Sequence, residues 1–406
     1  MVDIIIIGGG ASGMMAALTA AEDPHRRVTL LERQARVGRK LLSTGNGRCN
    51  LSNTGDYRGH YHGEDAAFAA PALEAFPPAE ALAFFRSLGL LTVEEYGGRV
   101  YPLSNQANSV VDVLRFALDR PNIRVVTGAA VEQVRRREGG FMVTWPEGEA
   151  RGDKLIVACG GCAGAKLGGV MDGYRLLQSL GHSRTALRPA LTQVRTDNSY
   201  PKALKGVKAD AAVTVRKGRR VLAEKRGEVL FTDSGVSGTA IFELSREVAA
   251  GGEGLEVQLD FFDTYGDAAL WEHLTAVRAR YPALPGNQIL VGTVHNRLGQ
   301  MLCKYAGIGA EPAAGALSQA QLERLVRACR DFRLPVTGVS GFESAQVTAG
   351  GVSTAEFYAD TLESRLVPGL FACGEVLDID GDCGGYNLQW AWSSGRLAGL
   401  HAGGLL

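Results

Sequence analysis

The chain lacks the features of a membrane, secreted or nucleic-acid-wrapping protein. Of its 406 residues 46% are hydrophobic. Yet no apolar run approaches the ~18–20 residues that span a bilayer. The opening Met1-Val2-Asp3-Ile4-Ile5-Ile6-Ile7 has no basic stretch and no cleavage site, so no secretory leader is expected. Cysteine is sparse and odd in number, seven in all, which points to a reducing cytoplasm rather than a disulfide framework. Charge of one sign is not in excess: Lys+Arg and Asp+Glu both count 43, for a formal net charge of zero. Phosphate-backbone binding draws on a basic excess or stripe, so no nucleic-acid partner is expected. With 21% charged residues the composition is that of a folded chain, and the length allows two or three domains. Glycine is in surplus, 53 in all, nearly twice the usual share. It has no collagen-like period, so it marks places where the backbone turns tightly or comes close to something.

The opening run Val2–Ile7 reads as a strand buried on both faces of a parallel sheet. Gly8-Gly9-Gly10-Ala11-Ser12-Gly13 follows at once, then the Ala/Leu/Met-rich helical stretch Met14 to Glu22, then a second apolar strand, Val28 to Glu32. This is a βαβ unit. Gly8-x-Gly10-x-x-Gly13 alone is weak in so glycine-rich a chain. After a strand, opening a helix, and with Glu32 ending the next strand, it is a strong dinucleotide signature. The first glycine permits the turn, the second lets backbone N–H groups reach a diphosphate, and the third lets helix pack on strand. The helix N-terminus faces the diphosphate with partial positive charge. Glu32 can accept both hydroxyls of a ribose.

Further along, a helical pattern spans Ala66–Gly89 and short strands follow at Ile123–Val126 and Leu155–Ala158. Val131 to Trp145 reads as a hairpin about Gly139-Gly140. From Pro189 the texture becomes antiparallel, with Val207, Ala209, Ala211, Val213 and Val215 alternating and a turn at Lys217-Gly218-Arg219. Helices are expected at Ala268–Tyr281, Gln288–Tyr305 and Gln319–Phe332, and a closing helix at Tyr386–His401. The expected architecture is α/β. A discontinuous Rossmann-like nucleotide-binding domain (residues 1–189 and 341–406) would carry an inserted β-barrel (190–265) and an inserted helical subdomain (266–340).

The far end of the chain selects FAD over NAD. Gly374-Glu375 follows the strand Leu370–Cys373, as in the glycine–acid step of two-part FAD proteins, where the acid meets the ribityl chain. Ala158-Cys159-Gly160 resembles their middle Ala-Thr-Gly motif, with Cys159 in place of the threonine. No second Gly-x-Gly-x-x-Gly follows a strand, so a separate NAD(P)H domain is not expected. NAD(P)H or oxygen would serve as electron partner at the same cavity as the substrate.

Three blocks carry a family resemblance: Gly38 to Asn50, Phe231 to Gly238, and Gly374 to Gln389. Together they resemble the bacterial flavoproteins of the aminoacetone-oxidase-like or bile-acid-reductase (BaiN)-like kind, over essentially the whole chain. The resemblance implies bound FAD and an oxidoreductase acting on a small or medium organic substrate, by amine oxidation or by enone (C=C) reduction. It names no catalytic side chain. It implies that Gly8, Gly10, Ala11, Ser12 and Gly13 meet the diphosphate and that Glu32 and Arg33 meet the adenosine. Arg39, Lys40 and the loop with Asn46, Arg48, Cys49 and Asn50 would run along diphosphate and flavin. Val131 would hold the adenine. Ala158, Cys159 and Gly160 form the middle contact, and Gly374 and Glu375 reach the ribityl chain. Gly385, Tyr386, Asn387 and Leu388 would cap the flavin ring, where a helix N-terminus stabilises the anionic reduced form. Thr239 and Cys383 depart from the residues common in the family at those places.

Other groups are assigned plainer roles. Cys159-x-x-Cys162 has no partner pair for zinc, and Cys49 is expected as a structural thiol facing the flavin. His60-Tyr61-His62 reads as a solvated loop. Asp378, Asp380 and Asp382 alternate as in a calcium loop, but Cys383 and Gln389 stand where that motif needs Gly and Glu, so no metal is expected. The insertion, with His295, Asn296 and Arg297, is expected to cover the flavin and form the substrate cavity. Two other classes remain open: an RNA-modifying flavoprotein and a non-catalytic FAD-binding sensor.

Overall fold

The computed structural model describes residues 2–405. The chain divides into two units, one of residues up to Arg188 together with those from Gln346 onward, the other Pro189–Ala345.

The first unit begins with β1 (Val2–Ile7), whose residues Ile4–Ile7 are buried, as a strand covered on both faces requires. α1 (Ala11–Ala20) follows, built of small and apolar side chains and buried almost throughout, then β2 (Arg26–Glu32). The helical stretch after Ala66 is broken by Pro77-Pro78 into Ala70–Ala75 and Pro78–Ser87. β3 (Ile123–Thr127) and β4 (Lys154–Val157) complete the first part of the parallel sheet. The hairpin at Gly139-Gly140 forms and gains a third strand, Gly148–Gly152.

The second unit is a closed barrel of six antiparallel strands. They are β5 (Val194–Thr196), β6 (Lys208–Lys217), β7 (Arg220–Thr232), β8 (Gly235–Ser237), β9 (Leu255–Asp260) and β10 (Phe332–Val339), in the order β5-β8-β7-β6-β9-β10. The alternating Ala211, Val213 and Val215 point inward with Val229, Phe231, Val257, Leu259, Phe332 and Leu334. Helices α2 (Thr239–Gly251), α3 (Asp267–Arg280), α4 (Asn296–Tyr305) and α5 (Gln319–Arg330) belong to the same core. Two expectations differ here. The helix expected over Gln288–Tyr305 starts only at Asn296, because Gly292 takes a left-handed backbone (φ 82°) and His295 is the N-cap. The helix expected to reach Phe332 ends at Arg330, and Phe332 opens β10 with its ring in the barrel core. Barrel and helices therefore do not separate at residue 265: the strand that closes the barrel comes after the helices.

The chain then returns to the first unit with β11 (Leu370–Ala372) and α6 (Tyr386–Gly403). The parallel sheet has the order β11-β4-β1-β2-β3. Its connections reverse direction at β1, and such a switch point opens a crevice at the carboxyl ends of the strands. The pairs Ile7 with Leu31, Ile7 with Val157 and Val157 with Ala372 bring Gly8, Glu32, Ala158 and Cys373 to one edge. No helix among the described residues is long and apolar enough to cross a membrane.

Candidate functional site

At that edge the three signature glycines divide by role. A Cβ at Gly13 would overlap the carbonyl oxygen of Gly8, whereas a Cβ at Gly10 would meet no atom within 4 Å. Packing demands the third glycine, while the second faces open space at the N-cap of α1. No side chain caps the first-turn N–H groups there, so the backbone at Ala11 and Ser12 forms an anion cradle.

Glu32 ends β2 beside it. Its Oε2 accepts from the Gly9 N–H at 2.7 Å and its Oε1 from the Gln34 N–H at 2.7 Å. Burial raises the pKa of this carboxyl, against the pull of these bonds and of Arg33. Each oxygen keeps acceptor capacity for a ribose hydroxyl. Arg33 pairs with Asp172 at 2.6 Å, and Arg39 donates to the Gln34 side chain at 2.7 Å. The Ala129 N–H donates to the Glu32 carbonyl at 2.9 Å, which brings buried Val131 to the end of β2.

On the β4 side, Lys40 Nζ lies 2.8 Å from Glu375 Oε2, and Glu375 Oε1 accepts from the Thr348 N–H at 2.8 Å. The Gly374 N–H donates to Ser394 at 3.0 Å. The Ala158 N–H donates to the Ile7 carbonyl at 2.8 Å, and a Cβ at Gly160 would lie 4.0 Å from Glu375 Oε2. Lys40, Ala158–Gly160 and Gly374-Glu375 thus converge.

A third group surrounds the start of α6. Gly385 is its N-cap with φ 105°, and no side chain caps the first turn at Tyr386, Asn387 and Leu388. Asn50 Oδ1 is buried with no hydrogen-bond partner among the described residues and lies 3.0 Å from where a Cβ at Gly385 would stand. Asn46 and Cys49 both hold left-handed backbone, φ 57° and 61°, in the loop that delivers Asn50.

Arg48 is committed to Glu95 and Asn105 and lies over the Tyr101 ring, 4.0 Å from its centroid. Cys49 is wholly enclosed, and burial pushes its thiol up to about 12. Burial likewise raises the thiols of Cys159 and Cys162, both free. In the second unit, Arg297 donates to the carbonyls of Ala203 and Lys205, and its N–H is accepted by His295 Nδ1 at 3.2 Å. An open depression of about 550 Å³ is lined by Gly292 to Asn296.

Sequence reading missed Thr348 and Ser394, which sit in no motif and reach the site only through the fold. It also missed how His60 and His62 are held: both bond the carboxylate of Asp382, so that loop is structured rather than merely solvated. Ser364, His182 and Glu356 form a Ser-His-acid line, 3.0 and 2.8 Å. The His182 side chain is fully buried and Ser364 Oγ also accepts two backbone N–H groups, so the line is structural.

The residues present fit FAD. There is an uncapped helix N-terminus for the diphosphate and an acid for the ribose. A second uncapped helix N-terminus, beside the orphaned Asn50 oxygen, would receive the ring. Fold and site together define an FAD-dependent oxidoreductase. More narrowly, the chain belongs to the family described as HI0933-like protein Rossmann domain, matched over residues 2–401. It is 41% identical over 401 residues to 3-dehydro-bile acid delta(4,6)-reductase of Clostridium scindens, covering 98% of each chain. It is 30% identical over 398 residues to ribosomal RNA dihydrouridine synthase of Escherichia coli, covering 97% of this chain and 96% of that one. Among solved structures, 3-ketosteroid delta1-dehydrogenase from Sterolibacterium denitrificans, in complex with 1,4-androstadiene-3,17-dione, shares the fold. The TM-score is 0.51 at 12% identity, with 100% of both chains covered.

Proposed function

We propose that this protein reduces a carbon–carbon double bond conjugated to a carbonyl in a small organic molecule, with NADH or NADPH as electron donor. The observation that carries the reading is the 41% identity, end to end, with a reductase whose name specifies a conjugated dienone. The second relative points to the same chemistry, because making dihydrouridine also saturates a double bond conjugated to a carbonyl. Amine oxidation has no comparable support. Bound FAD supplies the hydride chemistry. The chain's own residues bind and orient. The α1 N-terminus and Lys40 would face the diphosphate, Glu32 would hold the ribose, Glu375 would reach the ribityl chain, and the α6 N-terminus would favour negative charge at the ring. With no second dinucleotide signature, the nicotinamide donor and the substrate use one cavity in turn, which gives ping-pong kinetics.

RNA modification is the second reading, favoured by the 30% identity with an rRNA-modifying enzyme. Against it, three cations of the barrel are engaged by acids: Lys208 with Glu228, Lys225 with Glu243 and Arg226 with Asp263. Anaerobic assays separate the readings. Steady loss of a 3-keto-Δ4 steroid with NAD(P)H oxidation supports the first. Reduction of uridine in unmodified rRNA, with no steroid turnover, supports the second.

A further inference from the structure

Cofactor binding does not account for the way the loop His60-Tyr61-His62 is tied to the loop Asp378–Gly385. Tyr61–His62 pairs antiparallel with Asp380–Gly381. The Asp382 carboxylate then bridges both histidines, its Oδ2 3.0 Å from His60 Nδ1 and its Oδ1 2.7 Å from His62 Nε2. The Asp382 side chain is 8% exposed, while the imidazoles keep 37% and 33% of their surface open. The His60 ring stacks on the Tyr386 ring, 4.3 Å between centroids and 12° between planes. Tyr386 is the first residue of α6, and Tyr61 Oη donates to its carbonyl at 2.9 Å. Asn387, the next residue, accepts from the Gly381 N–H at 2.8 Å and donates to the Gly381 carbonyl at 2.7 Å. The cluster is therefore fixed to the same helix end that fits the flavin ring.

A carboxylate only accepts, so the ring nitrogen facing it carries a hydrogen. His60 is then the Nδ1–H tautomer and His62 the Nε2–H tautomer, both on one anion. Each keeps a second ring nitrogen that the bond to Asp382 does not use. No group of side chains among the described residues is arranged to hold a metal, so the cluster does not read as an ion site.

Saturating a conjugated double bond takes a proton as well as a hydride. The hydride adds to the β carbon and the double-bond pair shifts to the carbonyl oxygen, giving an enolate that must be protonated at the α carbon. We propose that His60 is the general acid of this step, with Asp382 and His62 as positioning residues; the proposal rests on the reductase reading above. The Nε2–H bond of the His60 imidazolium breaks as the enolate pair forms the new α C–H bond. Saturated ketone and neutral imidazole remain, and water returns the proton through the exposed ring edge.

The test uses full-length enzyme with FAD bound, its flavin reduced anaerobically, mixed with a 3-keto-Δ4 steroid in a stopped-flow spectrometer. General acid catalysis contributes at least about a hundredfold, so His60→Ala and His60→Asn are expected to slow reoxidation by roughly that factor. Both are expected to keep the flavin spectrum and FAD content, and added imidazole is expected to restore part of the rate in His60→Ala. A solvent deuterium effect is expected in wild type and lost in the variants. Independently of turnover, ¹⁵N imidazole NMR is expected to show His60 and His62 as opposite tautomers. Wild-type reoxidation in His60→Ala overturns the proposal, and so does a loss that accompanies FAD release and is not rescued by imidazole. Like tautomers overturn it as well. A wild-type enzyme that holds FAD but leaves the steroid untouched overturns the reductase reading, and this proposal with it.

Discussion

In the unit built on the parallel sheet, a Cβ at Gly8, Gly13 or Gly385 would overlap a carbonyl oxygen, whereas in the barrel unit a Cβ at Gly218, Gly252 or Gly254 would meet nothing within 4 Å. The two sets of positions use glycine for different reasons. At the first three, backbone must approach backbone so that helix N-termini can face a ligand; Gly235 and Gly238 show that the barrel has close approaches of its own. At the second three, glycine closes turns over a core that alternating valines already specify. A surplus of glycine in a composition therefore says little until position separates the two uses.

Substitutions can break this contrast. The largest effect is expected from Gly13→Ala, because the clash is with backbone that cannot swing away. It should cost more than the ~1–3 kcal/mol of ordinary overpacking and leave protein without FAD. Melting temperature and flavin content after purification check it. Glu32→Ala comes next. A hydrogen bond to a charged group is worth about 1.5–3 kcal/mol, so FAD should bind at least about tenfold more weakly in a fluorescence titration.

A third effect depends on pH. Burial lowers the pKa of His182 below its ordinary 6.5, against the pull of Glu356. The fold therefore favours neutral His182, and an unfolded chain binds the proton first as pH falls. The stability held by this group is complete above about 6.5 and is lost below it. Between about pH 7.5 and about pH 5.5, wild type should lose more melting temperature than His182→Gln. Cys49→Ala should cost about 1 kcal/mol and retain FAD, because the thiol faces the protein interior. Smallest of all, Gly218→Asn should fall within about 0.5 kcal/mol of wild type by chemical denaturation, since asparagine tolerates φ 57° and the surroundings are open.

Features that depend on local periodicity could be read from the sequence. The continuous run Val2–Ile7, the glycine turn after it and the alternating valines of the barrel each declare their environment within a few residues. Where the readings differ, the cause lies at longer range. Phe332 follows a helical pattern without a break, and only pairing with β5 and β9 makes it a strand. Arg48 stands in a flavin-loop motif, but Glu95 and Asn105 claim it. His60 and Asp382 are separated by most of the chain, and no spacing rule joins them.

The central claim is that FAD at the edge of the parallel sheet passes a hydride to a conjugated double bond. Its most direct test is a single anaerobic turnover. Enzyme reduced by one equivalent of NADPH or NADH is mixed with a 3-keto-Δ4 steroid, and oxidised flavin is counted against saturated ketone. The account predicts that the two appear together in equal amounts. Reduced flavin that persists in the presence of the steroid, and reoxidises only on admission of oxygen, would contradict it.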